Sequence, residues 1–196
     1  MKPQLSILAA ALLALAAAPV AAEPVTYTVD PDHAQIHFTY SHLGFSNIKG
    51  HVAVAEGTVT YDPDKPANSS VKITAQTDTA SVGVPAMDDH LRAADFLDVA
   101  NYPTATFKST KVEPAGEGKL TVTGDLTIRG TTLPATFSVT VNKVGEHPMR
   151  KTPTAGFDAT GTIERPAFGI DTYLMVTGPQ VKLDITAEAF VPTTTE

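Results

Sequence analysis

Leu120-Thr121-Val122-Thr123-Gly124-Asp125-Leu126-Thr127-Ile128-Arg129 sets apolar or small residues on one parity and polar residues on the other. Successive side chains of an extended chain point to opposite faces, so this alternation predicts a β-strand with one buried and one wet face. The pattern returns in Leu133, Ala135, Phe137, Val139 and Val141, after the linker Arg129-Gly130-Thr131-Thr132. Gly130 can supply the positive φ of a tight hairpin turn, so the two runs form an antiparallel pair. Working outward, the same period of two picks out residues 25–29, 34–40, 51–61, 71–81, 104–112, 157–164 and 181–191. Turn-forming breaks such as Asp62-Pro63-Asp64-Lys65-Pro66 and Pro114-Ala115-Gly116-Glu117-Gly118 separate them, giving eight or nine strands. One segment departs from the period: after Pro85, residues 86–97 carry Met87, Leu91 and Ala94 at helical spacing, which predicts one short helix. Asp88 and Asp89 then lie near its positive end, where carboxylates are stabilised.

The fold class is therefore all-β, a single domain over residues 23–191 followed by a short tail at 192–196. Eight antiparallel strands can close into a barrel or stack as a sandwich. The expected inner parity mixes mid-sized with small groups (Ile36, Phe38, Tyr40; Ala75, Thr77, Thr79, Ser81; Gly161, Ile163). Such a lining leaves room inside, which favours an eight-stranded antiparallel lipocalin-like barrel that holds one slender ligand. A sandwich core would carry bulkier aliphatics on both inner faces.

Composition narrows the function. The 196 residues include no cysteine, which excludes disulfides, thiolate metal sites and a catalytic thiol. A formal charge of −7 argues against a nucleic-acid partner, whose phosphates require clustered basic residues. Residues 1–22 read as a cleavable signal peptide: Lys2, an apolar run over residues 5–18 broken only by Ser6, and small residues up to Ala22. That run is too short for a membrane span of about 20 residues. Without a cysteine there is no lipid attachment, so the expected location of the mature chain is the periplasm.

Four blocks resemble the YceI-like family. They are Tyr27-Thr28-Val29-Asp30-Pro31-Asp32-His33-Ala34-Gln35-Ile36-His37-Phe38 with His42-Leu43-Gly44 and Gly50; Asp89-His90-Leu91-Arg92-Ala93-Ala94-Asp95-Phe96-Leu97-Asp98-Val99 with Tyr102-Pro103-Thr104-Ala105-Thr106-Phe107; Gly124-Asp125-Leu126-Thr127-Ile128-Arg129-Gly130-Thr131-Thr132; and Ile163-Glu164-Arg165-Pro166-Ala167-Phe168-Gly169-Ile170. The resemblance implies a lipocalin-like barrel with a helical plug that binds an isoprenoid lipid, an isoprenoid quinone or a polyprenyl carrier, in an apolar tunnel. It also implies transient contact with a membrane or with respiratory or cell-envelope proteins. The oligomeric state, a dimer included, is left open. Where the family often has Arg-Asp before His-Leu, this chain has Asp88-Asp89.

Strand and helix parity supply the candidate lining: Ile36, Phe38, Tyr40, His42 and Phe45 from the first block, Met87 and Leu91 from the helix, then Phe96, Phe107, Phe168, Ile170 and Met175. An isoprenoid tail offers only apolar contact, so its site needs a long apolar concavity. His42 is a polar ring on an apolar parity. It either bonds to backbone near Gly44 or lies at the barrel mouth and meets a ligand head group.

A metal site is not expected, since His33 and His37 share one parity and His42 takes the other. Nor is an enzyme: no G-x-S-x-G elbow and no H-E-x-x-H occurs, and Asp89 and His90 diverge by about 100° on a helix. The alternatives to an isoprenoid carrier are a packed barrel that binds a protein through its loops, and a carrier of another apolar molecule such as a fatty acid.

Overall fold

The computed structural model describes residues 23–193, so the predicted signal peptide lies outside the described residues. Eight strands run in chain order: β1 (Val25–His42), β2 (Ser46–Tyr61), β3 (Ser70–Ser81), β4 (Thr104–Pro114), β5 (Lys119–Ile128), β6 (Thr131–Glu146), β7 (Pro153–Glu164) and β8 (Gln180–Phe190). Each pairs antiparallel with the next, and β8 pairs with β1 to close the barrel. Closure gives each described strand a neighbour on both sides. In the β5–β6 hairpin, Ile128 pairs with Thr131, and Arg129 and Gly130 both hold positive φ, 49° and 71°. This is a two-residue turn of the twist-matching kind.

The two runs at 25–29 and 34–40 form one strand, which resolves the count at eight. Between them β1 slips against both neighbours: Thr28 faces Thr58 while Gln35 faces Ala53, and Val29 faces Ala189 while Ala34 faces Ala187. Pro31 sits in this bulge, where its missing N–H removes nothing from the ladder. Asp30 turns inward there and is only 5% exposed. It accepts a hydrogen bond from the Asp32 N–H at 3.1 Å, lies 2.9 Å from His33 Nδ1 and pairs with Arg150. The Arg150 guanidinium in turn lies 4.8 Å from the centre of the Phe190 ring. Burial pushes the Asp30 carboxyl up, but the bonds from His33, Arg150 and Asp32 outweigh it and hold the group below the usual carboxylate range.

A group whose folded-state pKa is depressed stabilises the fold above its unfolded value, about 4, and that contribution is lost as pH falls through the folded value. Asp30→Ala is therefore expected to lower the urea midpoint at pH 7, with the gap to the wild type narrowing at pH 3. A constant gap across that range would show that the ion pair carries none of the effect.

The helix α1 (Pro85–Arg92) caps one end of the barrel and stops five residues short of the predicted Leu97. Geometry explains the break. At 100° per residue, a continued helix would carry Phe96 and Leu97 about 140° and 240° round from Leu91, off the face that Met87 and Leu91 share. Instead Ala93 is extended, and tight turns bring both side chains to the barrel interior. Asp88 fastens the helix start, accepting from the Ser81 hydroxyl at 2.8 Å and the Val82 N–H at 2.6 Å. A 3₁₀ turn (Arg165–Phe168) and a one-turn helix α2 (Leu174–Thr177), neither of them predicted, complete this end. The guanidinium of Arg129, at the β5–β6 turn, ties it together by donating to the Ala94 and Gly169 carbonyls. A hydrophobic cluster including Tyr27, Val29, Val54, Tyr61, Val112, Leu120 and Val122 builds the opposite end.

Candidate apolar ligand cavity

Inward residues of all eight strands surround a cavity of about 730 Å³, within the range that small-molecule sites occupy. On β5 the wall is Leu120, Val122, Leu126 and Ile128, the apolar parity of residues 120–129. On β1 it runs from Ala34 through Ile36, Phe38 and Tyr40 to His42. The eight rises from Ala34 to His42 along a tilted strand span roughly 20 Å of barrel axis, so the space is elongated. A long flexible chain fits this shape better than a compact molecule.

Nine of the twelve candidate residues line this cavity: Ile36, Phe38, Tyr40, His42, Met87, Leu91, Phe96, Phe107 and Ile170. Three do not. Phe45 lies in the β1–β2 turn and is 91% exposed, and Met175 projects from α2 and is 92% exposed. Phe168 is buried, but in the 3₁₀ turn, outside the cavity wall. Strand parity does not govern turns and single helical turns, which is why these three were misplaced. Of the small residues expected on the inner parity, Ala75 and Thr77 line the cavity, and Thr79, Ser81 and Gly161 do not. Thr79 turns to serve the β2 backbone, accepting from Ala53 N–H, and Ser81 turns to Asp88, at a register slip between β2 and β3. Gly161 leaves no free room, because a Cβ there would lie 2.7 Å from the ring of Phe137.

At the α1 end the wall changes character. His90, Phe96 and Tyr173 meet ring to ring, with centroids 4.9 Å (His90–Phe96), 5.4 Å (His90–Tyr173) and 6.2 Å (Phe96–Tyr173) apart. His90 Nε2 lies 3.2 Å from Asp95 Oδ2, and Phe38 stacks on Tyr40. The His42 side chain makes no hydrogen bond to the backbone near Gly44 or to any other described residue. Burial pushes the Tyr40 hydroxyl above its ordinary range, with Arg165 opposing and Asp88 adding to the rise. Arg165 itself was not among the candidates. It continues the odd parity of Phe157, Ala159, Gly161 and Ile163 one step past the end of β7, and that signal was present in the sequence. Among the described residues no three His, Asp or Glu side chains converge as a metal site would require.

A protein-family model described as the YceI-like domain matches residues 27–189. The chain is 38% identical over 189 residues to protein YceI of Escherichia coli, covering 95% of this chain and 96% of that one. Its fold matches BcnA of Burkholderia cenocepacia with a TM-score of 0.73 and 27% identity, over 82% of this chain and 99% of that structure. It also matches a domain from Saccharophagus degradans described as polyisoprenoid-binding, with a TM-score of 0.62 and 12% identity over 85% and 98% of the two chains. A barrel of this topology around an elongated apolar cavity, with a family match across nearly all of the described residues, leads to one conclusion: the chain belongs to the YceI-like family.

Proposed function

We propose that this protein is an exported, periplasmic carrier that holds a polyisoprenoid, such as a quinone or polyprenyl lipid, in its barrel without chemically changing it. The observation that carries the reading is the continuous, almost wholly apolar wall of the elongated cavity. Such a wall gains roughly 25 cal/mol for each Å² of apolar surface removed from water, before ordering costs are deducted. Met87 in the wall can repack around an irregular chain. The description of the Saccharophagus degradans domain supports the ligand class through a shared fold. The apolar run and small residues of positions 1–22 support export.

The test is to purify the protein from the periplasm of its host, extract it with organic solvent and identify bound lipid by mass spectrometry. A stoichiometric isoprenoid is the expected result. A folded barrel that comes out empty would overturn the carrier reading in favour of a loop-mediated protein partner, and a fatty acid in its place would overturn the isoprenoid class.

A further inference from the structure

Among the described residues, Arg165 is the one side chain in the cavity wall with a permanent charge. It is 5% exposed, and no carboxylate among the described residues lies within ion-pair distance of it. Its partners are neutral: Nε donates to the Gly178 carbonyl at 2.8 Å, Nη1 to the Ile170 carbonyl at 3.0 Å and Nη2 to the Thr177 hydroxyl at 2.7 Å. A guanidinium carries five N–H groups, so two of Arg165's remain beyond these three bonds. A buried charge without an opposite charge is strongly unfavourable, and carbonyl dipoles offset only part of that. Asp171 lies near enough to favour the charged form, but does not pair with it.

We propose that Arg165 binds the head group of the ligand, and that the cavity therefore takes an apolar chain ending in an anionic oxygen group, a phosphate or a carboxylate. The inference rests on the carrier reading and sharpens it. The planar fork of a guanidinium matches phosphate and carboxylate oxygens in pairs, and an anion would neutralise the buried charge as a quinone or alcohol oxygen would not. The neighbouring wall suits an oxygen-rich group: Tyr40, His42 and His90 all face the cavity at this end. The far end offers only neutral hydroxyls, two of them already engaged, Thr60 with Thr26 and Ser69 with the Asp62 N–H. The ligand thus has one orientation, head toward α1 and tail toward the β5 start.

The test compares four probes on the delipidated protein: geranylgeranyl phosphate against geranylgeraniol, and oleate against oleyl alcohol. In at least one pair the anion is expected to bind about tenfold tighter or more, as a charged hydrogen bond implies. Preference in the prenyl pair alone identifies a prenyl phosphate as the source, preference in the oleyl pair alone a fatty carboxylate, and preference in both an anionic terminus of either kind. Arg165→Met should bring the ratio close to one while retaining alcohol binding. A purely structural role, tying the 3₁₀ turn to α2, would weaken anion and alcohol alike and leave the ratio unchanged. Should Arg165→Met fail to fold, Arg165→Lys, which keeps the charge but loses the fork, is expected to fold with a smaller ratio. Equal binding of anion and alcohol by the wild type, or an unchanged ratio in the variants, overturns the proposal. Absence of binding by all four probes overturns the carrier reading itself.

Discussion

Gly124→Ala is expected to destabilise the barrel by about 3 kcal/mol, near the upper end of what overpacking typically costs. A Cβ at Gly124 would lie 2.4 Å from the Lys108 carbonyl oxygen, 2.7 Å from the Ser109 Cα and 2.7 Å from the Phe107 ring. Two of these are backbone atoms of the neighbouring strand, held at the register slip between Ser109 and Lys111, so they cannot turn aside. Gly145→Ala is the matching control. It too replaces a strand glycine, but nothing lies within 4 Å of the added carbon, and its effect should stay within about 0.5 kcal/mol. Urea unfolding followed by circular dichroism reads both. Equal midpoints for the two variants would show that β4 gives way at this point.

Ala159→Asp is expected to abolish lipid retention while leaving the barrel folded. Ala159 lies on the cavity wall between Val139 and Ile185. The substitution removes little packing, and in the empty protein water in the cavity can solvate the new carboxylate. An apolar tail would strip that water away, and burying a polar group without a partner costs about 3 kcal/mol or more, a loss of roughly a hundredfold or greater in affinity. Solvent extraction and mass spectrometry of wild type and variant purified in parallel would measure it. Wild-type lipid content in the folded variant would place the tail elsewhere.

Much of this architecture was legible in the residues. The alternation through Leu120, Val122, Leu126 and Ile128 predicts a wall that the barrel uses directly, because strand parity is a local rule. The extent of α1 was not legible, since its end is decided by Phe96 and Leu97 gaining the interior rather than by any breaker at Ala93. The room attributed to Gly161 failed for a related reason. Its empty face is covered by Phe137, which lies on the adjacent strand, and strand register is not written in either segment alone. Arg165 shows the opposite case, where local parity pointed inward and only the lack of an ion-paired carboxylate among the described residues, a tertiary fact, gave the charge its meaning.

Because β1 and β8 are neighbours, the described chain starts and finishes at one rim, with Thr28 beside Phe190. Arg165, α1 and α2 occupy the other rim, where β7 gives way to the 3₁₀ turn beside Gln180. A tether at either end of the described chain therefore grips the barrel from behind and leaves the α1 rim facing outward. Immobilised through a terminal tag, the protein would present the same rim to an incoming vesicle or enzyme whichever end was used.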